Sequence, residues 1–254
     1  MQPIAFLREV TESFARCVTR IPAVPPLDPG LARRQHRGYR DALEAGGYEV
    51  VVVPGDEAHP DGCFIEDAAA VIGDTALMAR SGHPSRRGEV GPVAEALAGY
   101  FAVEHLDDGT LDGGDVLQMG RTVFVGTGGR TDPAGARRLA TLAARAGKRL
   151  VEVTVRDALH LKSGVTAIDD DTVLWHPAAC DRETFDGMRV VEVEGTDPEA
   201  ANVVRLADGT ILVGVGRDAV ADQIVSLGYQ VIACDTSEFA RADGGLTCLS
   251  IRVR

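Results

Sequence analysis

The stretch AAAVIGDTALMA, residues 68–79, carries the pattern that decides the fold. Two short apolar runs flank a polar turn that contains Gly73 and Asp74, which is typical of a β-hairpin. The same layout returns three more times, as DVLQMGRTVFVG (115–126), GVTAIDDDTVLWH (164–176) and NVVRLADGTILVG (202–214). The turns follow one another at intervals of roughly 40–50 residues, a period that indicates repeat architecture.

Each hairpin is followed by a helical segment and then by a single apolar strand. The segment TDPAGARRLATLAARAG (131–147) shows the helix signals most clearly. Thr131 or Asp132 can serve as N-cap, Pro133 stands at the first helical position, and Gly147 follows the last turn. The apolar run RLVEVTV comes next. The chain is therefore predicted to consist of ββαβ units.

A fifth unit requires both ends of the chain. LTCLSIRV (246–253) would pair with PIAFLREV (3–10), followed by a helix over 31–47 and a strand over 48–54. Five units with both termini in one of them predict an α/β fold, a five-bladed β/α-propeller around a pseudo-fivefold axis, with residues 1–254 as a single catalytic domain. The alternative is an ordinary mixed α/β sandwich.

Composition excludes several classes of protein. The 254 residues carry a formal net charge of −12, which disfavours nucleic acid and acidic membranes as partners. No apolar run approaches the roughly 18–20 residues of a membrane span, and the N-terminus MQPIAFLREV lacks a signal-peptide pattern. The five cysteines are odd in number and lack framework spacing, so we expect thiols in a reducing compartment, the cytoplasm.

Residues capable of chemistry collect at equivalent places in the predicted units. The segments PDGCFIED (60–67), LDGGD (111–115), LHLKSG (159–164) and DGGLTC (243–248) each stand at the entrance of a hairpin or strand. In a closed ring of units, four segments at the same position within their units would face one axial cavity. This correspondence is the main functional signal that the residues themselves give.

Each of these residues also has a purely structural interpretation. An acidic residue at a strand entry usually forms a turn or a cap. His160, between two leucines, fits a core histidine, and Cys248 ahead of an apolar strand fits a small hydrophobic residue. None of the six histidines has another histidine within five residues, so we expect no zinc site.

Taken together, the residues favour chemistry on a guanidinium compound. A cysteine nucleophile needs a nearby base or cation, for which a separate histidine is the usual partner. Carboxylates beside such a pair make sense around a cationic substrate, most naturally a planar guanidinium. Arg86 and Arg130 could hold a carboxylate at the other end of a small guanidino amino acid; the alternative for each is a solvated surface role.

Six motifs in order resemble those of the dimethylarginine dimethylaminohydrolase family, from about Thr19 to the end of the chain: PDGCFIED, SRRGE, LDGGDVL, GGRTD, LHLKSG and DGGLTCLS. The family belongs to the guanidino-group-modifying superfamily (pentein fold), whose members are five-bladed β/α-propellers. The resemblance implies hydrolysis of Nω-methylated arginine to citrulline and methylamine or dimethylamine, with neither metal nor organic cofactor. It also implies a cationic guanidino amino acid as partner and, by family habit, a homodimer.

The resemblance assigns roles to ten residues. Cys248 matches the nucleophile and His160 the general acid and base. Asp67 and Asp112 match the carboxylates that bind the guanidinium, and Glu66 lies in the same acidic motif. The positions that match contacts to the amino-acid end of the substrate are Arg86 and Arg130 for the α-carboxylate, and Asp61 with the carbonyls of Val18 and Ala242 for the α-amino group.

Departures from the family pattern keep three alternatives open. The stretch SGHP (81–84) and the N-terminal loop over 11–26, which includes the lid-like PAVPP, match weakly. Since that loop covers the substrate in the family, a sister arginine deiminase or dihydrolase that releases ammonia is the nearest alternative. The other two are a binding protein that kept the fold without catalysis and a metal centre.

Overall fold

The structure is a computed structural model that describes residues 2–254. Over these residues the chain forms fifteen strands: β1 (Ile4–Arg8), β2 (Glu49–Val53), β3 (Ala69–Ile72), β4 (Thr75–Met78), β5 (Ala102–His105), β6 (Val116–Met119), β7 (Thr122–Thr127), β8 (Arg149–Thr154), β9 (Val165–Ala167), β10 (Thr172–Trp175), β11 (Arg189–Glu192), β12 (Val204–Arg205), β13 (Ile211–Gly214), β14 (Val231–Cys234) and β15 (Ile251–Val253).

Six α-helices alternate with these strands: α1 (Pro29–Ala45), α2 (Val90–Leu97), α3 (Pro133–Arg145), α4 (Leu161–Gly164), α5 (Asp218–Ser226) and α6 (Ser237–Ala240). Short 3₁₀ helices occupy Glu12–Arg16, Ile65–Ala68, Pro84–Glu89, Gly113–Asp115, Arg182–Phe185, Pro198–Ala201 and Thr247–Leu249. None of the helices in the described chain is both long and apolar enough to cross a bilayer.

The strands form five three-stranded sheets with one shared topology. In every sheet the middle strand is antiparallel to its first partner and parallel to its second, as β4 is to β3 and β5. A parallel pair needs a crossover connection, and the helical segments supply it. The third sheet connects its parallel pair, β10 and β11, through the 3₁₀ turn Arg182–Phe185 rather than a full helix.

The fifth sheet contains both ends of the described chain. β1 pairs with β15 in antiparallel register, Ile4 opposite Val253, and with β2 in parallel register, Ile4 opposite Glu49. The predicted five ββαβ units, with both termini in the same one, are therefore confirmed. By its contacts the chain divides into two compact units, one containing residues up to Ile65 and from Val204 onwards, the other Glu66–Val203. The expectation of a single domain stays a prediction.

Local chemistry explains the hairpins and the helix starts. The two-residue turns after β3 and β6 place Gly73 and Gly120 at φ angles of 63° and 51°, a region that favours glycine. Asp132 is the N-cap of α3, since its carboxylate accepts the N–H groups of Ala134 and Gly135 at 2.9 and 2.8 Å.

Helix α1 begins before the predicted Leu31. The Asp28 carboxylate accepts the N–H groups of Gly30 and Leu31 at 2.8 and 3.1 Å, so Pro29 becomes the first helical residue. The C-terminal strand differs too: β15 begins at Ile251, and Cys248 lies in the preceding 3₁₀ turn rather than at a strand entrance.

His36 of α1 gives the first testable prediction. Its ring is buried beside Phe239, and its Nε2 has no hydrogen-bond partner within residues 2–254. Burial, and then the nearby Arg40, lower the pKa of His36 to about 4. A histidine whose folded pKa lies below the unfolded value of about 6.5 contributes stability above pH 6.5 that is lost as the pH falls towards 4.

We expect wild type to lose about 2 kcal/mol of unfolding free energy between pH 7.5 and pH 5 that His36→Leu does not lose. Urea titrations at both pH values measure the difference. His105→Asn, a change at an exposed histidine of β5, serves as control and should follow wild type. Equal pH dependence of His36→Leu and wild type would show that His36 is not held neutral.

Candidate active site

Asp67, Asp112 and His160 lie together in the unit that spans Glu66–Val203. His160 Nε2 stands 3.3 Å from Asp112 Oδ2 and 3.8 Å from Asp67 Oδ1, and all three side chains are buried. Each residue stands just ahead of the first strand of its sheet, β3, β6 or β9. Equivalent positions in three successive repeats therefore bring one histidine and two carboxylates together.

A glycine makes this close approach possible. The backbone N–H of Gly114 donates to Asp67 Oδ1 at 3.0 Å. A Cβ at Gly114 would lie 2.7 Å from His160 Nδ1 and 2.8 Å from Asp67 Oδ1, closer than side chains pack. The second glycine of LDGGD thus lets the main chain lie directly against the two side chains.

The charges in this cluster shift the pKa values of its members. Burial lowers the pKa of His160, but the carboxylate of Asp67 and the hydrogen bond to Asp112 outweigh burial and raise it to about 9. Burial favours the neutral form of Asp67, yet the charges of His160 and Arg86 lower its pKa to about 2. At neutral pH the cluster therefore holds a protonated imidazole against ionised Asp67.

Because His160 is charged in the folded protein, we expect the protein to lose stability at alkaline pH through the titration of this residue. A histidine whose folded pKa lies above the unfolded value contributes stability that is complete below pH 6.5 and lost as the pH rises through 9. Between pH 7 and pH 10, wild type should lose about 2–3 kcal/mol of unfolding free energy that His160→Gln does not lose.

Urea titrations at the two pH values supply the measurement. Burial raises the pKa of Cys180 and Cys234 to about 11, which weakens the fold above pH 9 in both proteins alike. The difference between wild type and variant therefore isolates His160. If the two proteins lost stability in parallel, the imidazole would not be charged at neutral pH.

Arg86 pairs with one of the two carboxylates. Its Nη1 lies 2.5 Å from Asp67 Oδ2, and its Nε and Nη2 donate to the Glu89 carboxylate at 2.8–3.2 Å. The arginine is 7% exposed. The structure thus places its guanidinium on Asp67 and Glu89, so its role at a substrate carboxylate stays a prediction.

Arg130 contacts the other carboxylate more loosely. Its Nη1 lies 3.4 Å from Asp112 Oδ2, the same oxygen that His160 approaches, and its side chain is 20% exposed. Gly82 packs against the Arg130 carbonyl so closely that a Cβ there would collide with it. Each candidate guanidinium-binding carboxylate therefore already has one arginine of the protein beside it.

A second ion pair connects two site segments. Lys162 Nζ donates to Glu66 Oε1 at 2.7 Å, and both side chains are largely buried. Glu66 precedes Asp67, and Lys162 follows His160 by two residues. The pair therefore ties the segment that carries Asp67 to helix α4, which begins directly after His160.

The remaining predicted residues belong to the other unit, described by itself. Cys248 is half-buried in the 3₁₀ turn Thr247–Leu249 and packs against that unit's apolar core. Val18 donates its N–H to Asp61 Oδ1 at 3.1 Å, so two of the three positions predicted for the α-amino group are in contact. Buried Ala242, the third, precedes Asp243, whose carboxylate accepts the Arg20 N–H at 2.5 Å.

Comparison with known proteins identifies the family. The family model for arginine deiminase matches residues 64–197. An N(G),N(G)-dimethylarginine dimethylaminohydrolase of Streptomyces coelicolor is 39% identical over 230 residues, which are 90% of this chain and 88% of that protein. The chain belongs to the dimethylarginine dimethylaminohydrolase family. An enzyme of the same name from Pseudomonas aeruginosa is 30% identical over 228 residues, 89% of each chain.

A solved dimethylarginine dimethylaminohydrolase shares the fold along its whole length. This structure, a histidine-to-glycine variant in an adduct with S-methyl-L-thiocitrulline, has a TM-score of 0.93 at 27% identity and covers 100% of both chains. Together with the five sheets of one topology, the match confirms the predicted fold class, a β/α-propeller of five ββαβ units.

The dimethylarginine dimethylaminohydrolase motifs hold site residues that the sequence interpretation did not assign. Glu89 ends the SRRGE motif three residues after Arg86, a spacing that could have identified the pair on a helix. Lys162 stands inside LHLKSG, but a lysine between Leu161 and Ser163 gave no sign of burial. Asp115 of LDGGD stands just before a strand, where an acidic residue usually forms a turn or a cap, so its position did not mark it as a site residue.

The site also contains a donor set that suits a cation. One ring nitrogen of His160 and one oxygen each of Asp67 and Asp112 lie within 4.8 Å of one another. A metal ion there would compete with Arg86 for Asp67 and would require neutral His160, whose pKa the carboxylates raise. The occupied Asp67 and the protonated His160 therefore disfavour a metal ion, and a chelator experiment tests the metal-centre alternative.

Proposed function

We propose that the chain hydrolyses Nω-methylated L-arginine, both dimethylarginine and monomethylarginine, to L-citrulline with release of dimethylamine or methylamine. The observation that supports this most directly is the buried cluster of Asp67, Asp112 and protonated His160 in a member of this family. Two carboxylates suit a planar cation, and a charged imidazole beside them can give a proton to a departing amine.

In the proposed first step, Asp67 and Asp112 hold the substrate guanidinium while the thiolate of Cys248 attacks its central carbon. A C–S bond forms, and the bond from carbon to the methylated nitrogen breaks. His160 gives its proton to that nitrogen, so a neutral amine leaves and an S-alkylthiouronium stays on the enzyme.

The second step uses His160 in the opposite direction. Having lost its proton, the neutral imidazole takes one from water, and the water oxygen bonds to the same carbon. The C–S bond then breaks, which returns the thiolate, and the second water proton passes to solvent, which leaves the neutral urea group of citrulline. A histidine with a pKa of about 9 is charged at neutral pH, which fits the order acid first and base second.

A substrate panel tests the proposed function. We expect citrulline from dimethylarginine and monomethylarginine, and little carbamoyl product from arginine or agmatine. Citrulline and ammonia from arginine would instead identify the sister deiminase or dihydrolase activity, and no turnover of any guanidine would favour the binding protein. Full activity after treatment with a strong chelator is expected, since the proposed steps use only side chains; loss of activity that zinc restores would support a metal centre.

The contact between Arg130 and Asp112 adds a step to substrate binding. A substrate guanidinium that reaches Asp112 must replace the Arg130 guanidinium, which lies 3.4 Å away. Among residues 2–254, Arg130 is partly exposed and makes only this ion pair, whereas Arg86 is buried and held by two carboxylates. We therefore infer that Arg130 leaves Asp112 and turns to the substrate's α-carboxylate.

This exchange predicts opposite effects of Arg130→Ala on two ligands. The KM for dimethylarginine should rise by about 10-fold or more, because the variant cannot bind the α-carboxylate. Methylguanidine has no carboxylate, so its inhibition constant should fall by about 5-fold once Asp112 is vacated. Steady-state inhibition assays give both values, with Arg121→Ala as a surface control.

An unchanged methylguanidine constant in Arg130→Ala would mean that Arg130 does not compete for Asp112. A parallel rise of both constants would point to damage of the whole site. Only opposite changes support the exchange.

We further propose a cytoplasmic location and a homodimer. The location rests on the number and spacing of the five cysteines, and the homodimer on the habit of the family. Size-exclusion chromatography with light scattering tests the second proposal: a mass near twice 26.8 kDa is expected, and a mass near 26.8 kDa would contradict it.

A further inference from the structure

Asp115 is a buried carboxylate with both oxygens hydrogen-bonded inside the Glu66–Val203 unit. It is 2% exposed. Its Oδ1 accepts the backbone N–H of Leu161 at 3.0 Å, and its Oδ2 accepts the Thr131 hydroxyl at 2.7 Å. Neither partner belongs to the 3₁₀ helix Gly113–Asp115 that carries the aspartate, so the bonds join separate segments.

Thr131 extends this connection to the substrate-binding carboxylate. Its Oγ1 accepts the backbone N–H of Asp112 at 3.2 Å while it donates to Asp115. Leu161 directly follows His160, and Thr131 directly follows Arg130. One carboxylate thereby fixes the backbone at three segments that carry proposed site residues.

The strand behind Asp115 leaves the carboxylate little freedom. Gly126 of β7 packs against it so closely that a Cβ would lie 2.8 Å from Asp115 Oδ1 and 2.9 Å from Leu161 Cβ. With one face against β7 and both oxygens bonded, Asp115 is held in one orientation.

We propose that Asp115 is a positioning residue of the reaction, which sets the placement of His160, Asp112 and Arg130 without touching the substrate. This inference rests on the proposed function. Asp115 also acts on His160 through charge, as Asp67 and Asp112 do, since all three carboxylates raise the pKa of the imidazole. Burial, followed by the opposing charge of His160, leaves the pKa of Asp115 at about 6, so it is ionised above that pH.

Asp115→Asn separates positioning from bulk stability. Asparagine keeps the shape and can still accept from Leu161, but it cannot accept the Thr131 proton and carries no charge. We expect kcat for dimethylarginine to fall by about 10–100-fold, the loss typical of residues that orient catalytic groups. The alkaline limb of the kcat/KM profile should move to lower pH, because His160 loses a neighbouring negative charge.

Two variants at Thr131 complete the experiment and remain informative if Asp115→Asn fails to fold. Thr131→Val removes the hydroxyl at nearly constant shape, so kcat should fall while the alkaline limb stays in place, since Asp115 keeps its charge. Thr131→Ser restores the hydroxyl and should return kcat to within about 3-fold of wild type, because each hydrogen bond is regained.

A titration of His160 by NMR with ring-labelled histidine makes the result independent of turnover. If wild type forms no citrulline, the proposed function fails, and the lower pKa of His160 in Asp115→Asn still tests the charge effect. If wild type is active and Asp115→Asn, corrected for active fraction, keeps kcat within about 3-fold and an unmoved alkaline limb, the positioning role is overturned. The same holds if Thr131→Val and Thr131→Ser have equal kcat.

Discussion

Cys248→Ser is expected to lower kcat for dimethylarginine by a factor on the order of 10⁴ or more, because a serine hydroxyl at this position has no base strong enough to ionise it. Binding should survive, since the proposed contacts to the guanidinium come from Asp67 and Asp112. Citrulline assays measure the loss of turnover, and isothermal titration with dimethylarginine measures the binding that persists.

Cys17→Ser is the matched control. Cys17 is also half-buried, and its thiol donates to the Pro60 carbonyl at 3.1 Å, a bond that a serine hydroxyl can replace. We expect near wild-type kcat from this variant. A chloroacetamidine should modify one cysteine of wild type and none in Cys248→Ser, and monomethylarginine should protect the wild-type cysteine. Turnover by Cys248→Ser near the wild-type rate would contradict the proposal that Cys248 is the nucleophile.

Asp67→Asn should damage both the fold and the activity. The side chains of Asp67 and Arg86 are 5% and 8% exposed and lie 2.5 Å apart, so the change leaves a buried guanidinium with one fewer counter-charge. Breaking a buried pair in this way costs about 3–5 kcal/mol of unfolding free energy. Glu89 still pairs with Arg86, so the low end of that range is expected.

The same change removes one of the two proposed charge partners of the substrate guanidinium. We expect kcat/KM to fall by about 10²–10³-fold, the effect of truncating one partner of a buried charge pair. Urea titrations and citrulline assays below the unfolding midpoint separate the two losses.

Glu104→Gln is the matched control for Asp67→Asn. Glu104 also pairs with arginines, Arg138 and Arg145, but at the protein surface, where solvent screens the charges. It should therefore keep wild-type activity and almost all of the stability. Equal stability of Asp67→Asn and wild type would show that Arg86 does not depend on Asp67, and equal activity would remove Asp67 from substrate binding.

The fold was predictable because its determinants are local. Each hairpin is recognisable within about a dozen residues, as two apolar runs around a polar turn. The turns at Gly73 and Gly120 need positive φ, which favours glycine. The start of α1 was missed because Asp28 and Pro29, a strong cap and first-turn pair, stand in a proline-rich stretch that resembles a loop. The repeat itself indicated that Asp67, Asp112 and His160 would occupy equivalent positions in their units.

The pairing inside the site was not predictable in the same way. Arg86 lies in the 3₁₀ helix Pro84–Glu89 and Arg130 in the loop between β7 and α3. The path of the chain at each of these segments decides whether the guanidinium meets a substrate or a carboxylate of the protein. That path depends on close contacts between distant segments, such as Gly82 against the Arg130 carbonyl. Asp115 shows the same limit, since only its burial distinguishes a positioning residue from an ordinary turn-forming acid.

The pairing of β1 with β15 has a consequence for how the chain matures during translation. Because β1 pairs with residues 251–253, its sheet cannot be completed until those residues have left the ribosome. The sheets built from β3 to β11 need only partners close in sequence and can assemble earlier. Cys248 is synthesised just before the closing strand, so a nascent chain holds Asp67, Asp112 and His160 long before it gains the proposed nucleophile.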